Sequence, residues 1–72
     1  MKLDSKQSSQ SEVAYRQLFD AILRGEFRSG DRIREVEVSE SMGLSRTPVR
    51  DALRRLETEG VIEHRPRQGA VI

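Results

Sequence analysis

The stretch from Ser45 to Gly60, SRTPVRDALRRLETEG, constrains this chain more than any other. Val49, Ala52, Leu53 and Leu56 fall at i, i+3, i+4 and i+7, which makes them one apolar stripe of an α-helix. Ser45 is placed to cap that helix. Pro48 sits in its first turn, where the missing N–H had no intrahelical partner. The helix is predicted to run to about Glu59 and stop at Gly60. At roughly 100° per residue, Arg46, Arg50 and Arg54 advance by only about 40° each. They form a slowly curving basic stripe beside the buried face.

One amphipathic helix needs a surface to cover, and the rest of the chain supplies it. Tyr15, Leu18, Phe19 and Ile22, flanked by Ala14 and Ala21, follow helical spacing after a cap at Ser9 or Ser11, with Glu12 completing a capping box. Gly25 ends this helix. Phe27 and Ile33 are apolar anchors around a Ser29-Gly30-Asp31 turn, and Arg32 to Arg34 reads as a very short strand. A second helix is predicted from about Glu35 to Met42, with Val38 and Met42 facing the core and Gly43 supplying the turn. Val61–Arg65 and Ala70–Ile72 read as strands around a Pro66-Arg67-Gln68-Gly69 tip. Residues 1–10 are polar and expected to be a disordered arm; residues 11–72 are expected to form one domain.

At 72 residues the chain is near the lower limit for a single unstapled core, and it contains no cysteine to staple it. No apolar run approaches the roughly 20 residues of a membrane span, so a cytoplasmic domain is expected. The net charge of +1 hides a division. From Asp31 to Ser41 the balance is negative. From Leu44 onward six arginines face four carboxylates and no lysine occurs. Arginine's planar fork suits phosphate and guanine, which favours an anionic partner.

Two helices joined by a tight turn, the second longer and basic, match a helix-turn-helix over about residues 35–54. The hairpin over about 61–72 adds a wing. The expected fold is mainly α with a small β-hairpin: a winged helix-turn-helix of three helices plus wing. Arg46 and Arg50 are the candidates for base readout or close phosphate contact. Ser45 and Thr47, beside the free N–H groups of the first turn, suit phosphate anchoring. Arg54 lies further along the helix and Arg55 can pair with Asp51, which reads as surface. Arg67 and Gln68 at the wing tip have suitable side chains; Gly69 either permits close approach to the DNA backbone or merely serves the turn. A basic helix face alone also fits a solvated surface; the preceding short helix, capped first turn and trailing hairpin favour DNA contact.

The segment GLSRTPVRDALRRLETEGVIEHRP resembles the GntR family of bacterial transcriptional regulators, nearest to its FadR-like branch. Upstream, Ile22, Gly25, Phe27 and Gly30 match a second family segment. The resemblance covers about Val13 to Ile72 and implies a winged helix-turn-helix that contacts operator DNA through Arg46 and Arg50, with Ser45 and Thr47 beside them and Gly69 as the wing glycine. Ser29, Val36 and Gln68 depart from the family pattern: Ser29 loosens its turn, Val36 stands where some relatives carry a DNA-contacting arginine, and Gln68 replaces a frequent cation. The resemblance further implies that this chain is the DNA-binding part of a longer repressor-like regulator. A C-terminal domain outside it would bind a small-molecule effector and form the homodimer that reads a palindromic operator.

Two other classes compete. A winged-helix protein–protein interaction module uses the same fold but has no need of an arginine-lined first turn. An enzyme is disfavoured by one histidine, no cysteine, no phosphate-cradling glycine loop and no cleft-forming length. No cofactor and no metal are expected; His64 reads as a solvated or packed imidazole.

Overall fold

The computed structural model of the chain describes residues 6–72. The elements follow in the order α1 (Lys6–Leu23), β1 (Arg32–Ile33), α2 (Glu35–Met42), α3 (Arg46–Thr58), β2 (Glu63–Arg65) and β3 (Gly69–Val71). Helix α1 starts at Lys6, upstream of both predicted caps and inside the stretch expected to be a polar arm; residues 1–5 of that arm lie outside the described residues. The Ser9 half of the capping box likewise lies outside the described side chains, and Glu12 pairs instead with Arg16 and Arg55.

The apolar stripe of α3 does what its spacing requires. Val49, Ala52, Leu53 and Leu56 are buried against Ala14 and Leu18 of α1, Ile33 of β1, Ile62 and Ala70. Pro48 joins the fully buried side chains, so it closes the core as well as starting the helix. Val38 and Met42 are half-buried and pack on this core, while Ser39 between them is buried. Its hydroxyl donates to the Val36 carbonyl at 2.9 Å, which satisfies the polar group that burial would otherwise strand.

Gly43 makes the turn between α2 and α3. It adopts φ 68°, and its N–H reaches back to Glu40 while that of Leu44 reaches Ser39. A left-handed residue here lets the chain reverse within three residues, Gly43 to Ser45, and bring α3 across α2.

The strands differ from expectation in length and in company. The hairpin is shorter than predicted, and β1 joins it: the sheet is antiparallel with order β1-β3-β2, Arg32 opposite Val71 and Ile33 opposite Ala70. Gly30 N–H donates to the Ile72 carbonyl, and Ile72 N–H donates to the Asp31 carbonyl. The wing is therefore rooted in the segment just before α2. A two-residue strand has no periodicity to reveal its partner.

A polar latch fastens α1 to α3. The Arg55 guanidinium lies 3.7 Å from the Tyr15 ring centroid and donates to Glu12 at 2.9 Å, with Glu59 at 3.5 Å. Tyr15 stacks on Phe19 and donates its hydroxyl proton to Glu59. The predicted Arg55–Asp51 pair is replaced by this arrangement; Asp51 accepts a hydrogen bond from Ser11 at 3.3 Å. The Arg55 contact, then Arg16, holds the Glu12 carboxyl below its ordinary value of 4.5. A lowered folded-state pKa stabilises the fold above the unfolded value and ceases to do so as the pH falls through the folded one. Thermal melts are therefore expected to show wild type losing more stability than Glu12→Gln as the pH drops below 4.5. Parallel acid profiles would remove Glu12 from the latch.

Candidate nucleic-acid interface

Ser45, Arg46 and Thr47 stand exposed at the start of α3. Ser45 occupies the N-cap position with extended backbone (φ −72°, ψ 169°), yet its side chain makes no capping hydrogen bond. The predicted cap is thus correct in place and not in bonding. Its hydroxyl lies beside first-turn N–H groups that lack intrahelical acceptors, a geometry suited to a phosphate oxygen. Arg46 has no carboxylate partner among the described residues.

Arg50, one turn on, is different. Its Nε and Nη2 donate to the two carboxylate oxygens of Glu35 at 3.3 and 3.1 Å, a two-point contact from α3 to the first residue of α2. This contact raises the Arg50 pKa further above its already high value. The guanidinium stays charged and is held at the helix crossing. Glu35 is a residue that sequence reading missed as part of the site, because the pairing depends on how α2 and α3 cross.

Arg67 and Gln68 are exposed in the turn between β2 and β3, and Gly69 opens β3 opposite Arg65. Arg67 has φ 70°, the one left-handed residue other than glycine among the described residues. Arg65 next to the turn is paired with Glu63 at 2.9 Å. Arg32 of β1 reaches across the sheet end and donates its Nε to the Gln68 carbonyl at 3.3 Å.

Between α3, β1 and the wing runs a groove of about 490 Å³. Arg50, Gln68 and Gly69 border it together with Arg32, Arg34 and Arg54; Ser45, Arg46, Thr47 and Arg67 lie outside that lining. The structure thus brings three of the seven candidates to one groove, leaves three at the start of α3 and one at the wing tip. His64 is mostly exposed, with Nδ1 3.4 Å from Glu57. Among the described residues no group of three or more His, Asp or Glu could hold a metal ion, and no helix is long and apolar enough to cross a membrane.

The family model described as bacterial regulatory proteins, gntR family, matches residues 10–72. The chain is 42% identical over 55 residues to the HTH-type transcriptional regulator YdhC of Bacillus subtilis (strain 168), a match covering 76% of this chain and 25% of that protein. It resembles the structure of a transcriptional regulator, a GntR family member from Pseudomonas syringae pv. tomato str. DC3000, with a TM-score of 0.78 and 36% identity over 88% of this chain and 27% of that one. A structure described as "Lar controls the expression of the Listeria monocytogenes agr system and mediates virulence" gives a TM-score of 0.83 at 25% identity, covering 100% of this chain and 32% of the other. The chain spans about a quarter of the length of the curated relatives it matches.

Proposed function

The chain belongs to the gntR family of bacterial regulatory proteins and is a helix-turn-helix DNA-binding domain, not an enzyme; from that premise we propose that it recognises a specific operator in duplex DNA for a metabolite-responsive regulator. Helix α3 enters the major groove. Arg46 and Arg50 read base edges or grip adjacent phosphates, Ser45 and Thr47 anchor a phosphate at the start of the helix, and Arg67, Gln68 and Gly69 bring the wing to the backbone. The FadR-like branch assignment is part of this proposal and rests on the motif from Gly43 to Pro66. So are the homodimer, its palindromic operator and the small-molecule effector. Two domains about one helical turn apart would add their half-site energies through effective concentration.

The observation that carries the reading is the exposed opening of α3, where Ser45 leaves the first-turn N–H groups uncapped by its side chain and Arg46 has no internal partner among the described residues. Mixed-sequence duplex at low salt is expected to bind the domain, with affinity falling steeply and linearly on a log–log plot as salt rises. Selection from a random library, with the domain tethered as a dimer, is expected to yield a palindrome. Selected sequences without a consensus would refute operator recognition, and no binding to duplex at low salt would favour a protein-interaction module.

A further inference from the structure

The groove beside α3 holds more positive charge than the base-reading residues account for. Arg32, Arg34, Arg50 and Arg54 border it against Glu35 and Glu57, with His64 next to them. Glu35 is engaged by Arg50, and the Nδ1 of His64 lies 3.4 Å from Glu57. Arg34 is 3.9 Å from Glu37, which borders a separate groove between α1 and α2. Arg32 and Arg54 remain the groove arginines without a carboxylate partner among the described residues.

Their positions are complementary. Arg54 projects from the exposed side of α3, two turns after Arg46. Arg32 lies on the exposed face of β1, and its Nε bond to the Gln68 carbonyl fixes the guanidinium at the root of the wing turn. The Nη donors of that guanidinium are not used by this bond. Two like charges bordering one groove repel, and an anion between them turns the repulsion into attraction. Both arginines border the one groove between α3 and the wing, where the backbone of a duplex docked on α3 would run.

We propose that Arg32 and Arg54 together hold a backbone phosphate of duplex DNA between wing and recognition helix, with Arg32 also fixing the wing turn through Gln68. The inference rests on the DNA-docking geometry given above and adds a contact that ties wing docking to helix docking. Phosphate contacts are independent of sequence, so mixed-sequence duplex is a sufficient probe.

The test is the slope of log affinity against log salt for the 72-residue domain. Loss of one phosphate contact is expected to make the Arg32→Ala slope shallower by about 0.9. Arg54→Ala shifts the slope in the same direction, and Arg32→Lys, which keeps the charge, restores most of it. Arg24→Ala removes the same charge from the α1–α2 groove and is expected to leave the slope nearly unchanged. Wild-type-like slopes for both Arg32→Ala and Arg54→Ala would overturn the phosphate clamp while leaving operator recognition intact. Equal shifts for Arg24→Ala would also overturn it, because general charge would then suffice. Failure of wild type to bind any duplex would remove both readings. Should Arg32→Ala fail to fold in a thermal melt, Arg54→Ala on the exposed helix face decides alone.

Discussion

Replacing Arg46 with alanine is expected to weaken binding to a selected operator by about 1–3 kcal/mol per half-site, roughly 5- to 150-fold. The figure is that of a bidentate base contact. In a dimer on a palindrome both half-sites lose it, so the loss in overall affinity approaches its square. The thermal midpoint should stay where it is, because Arg46 is exposed and pairs with no carboxylate among the described residues. Discrimination should relax at one base position, whereas a phosphate contact would weaken all sequences alike. Titration of wild type and Arg46→Ala on operator and scrambled duplex at fixed salt checks this; equal affinities on the operator would refute the assignment. Arg50→Ala is a less clean probe. Removing Arg50 leaves the Glu35 carboxylate without its two-point partner on the face proposed to meet DNA, so repulsion would add to the lost contact.

The largest expected effect on stability belongs to Leu56→Ala. Leu56 is fully buried, on the face of α3 that closes against α1 and the sheet. Truncating a buried leucine removes its transfer energy and leaves a cavity, together about 2–5 kcal/mol. A domain of this length has roughly 4–10 kcal/mol in total. The substitution therefore takes a large part of the stability, and a midpoint drop of about 10–30 °C is expected for a domain this small. Leu23→Ala is the matched control, since Leu23 is 69% exposed at the end of α1. Its effect should stay within about 0.5 kcal/mol. Similar midpoints for the two variants in parallel melts would show that α3 is not held by its apolar stripe.

Much of the fold was legible because the signals were local. The spacing of Val49, Ala52, Leu53 and Leu56 predicts α3 and its buried face, and Gly43 and Gly60 predict where helices turn and stop. What sequence could not display was long-range pairing. Nothing in Arg32-Ile33 announces a partner in Ala70-Val71, since two residues carry no period. Arg55 has Asp51 four positions away, yet the packing of α1 on α3 brings Glu12 from 43 positions away to within 2.9 Å. The candidate site divides in the same way. The exposure of Ser45, Arg46 and Thr47 follows from their place at the capped start of α3, ahead of the turns that pack on the core. The Arg50–Glu35 contact and the Arg32–Gln68 tie depend on how helices cross and how the sheet closes, which no local pattern encodes.

The backbone of Arg67 marks a place where stability and the proposed DNA contact compete. At φ 70° a side chain crowds its own carbonyl, at an energy of roughly 1–2 kcal/mol that glycine avoids. Glycine would also lose more freedom on folding, so the net advantage is smaller. A screen for heat resistance would nonetheless be drawn to position 67, and also to asparagine there. Each accepted change would remove a cation from the wing tip. Thermostabilised forms of this domain should therefore be chosen with DNA affinity measured at every step, because this gain lies on the surface proposed to meet the ligand.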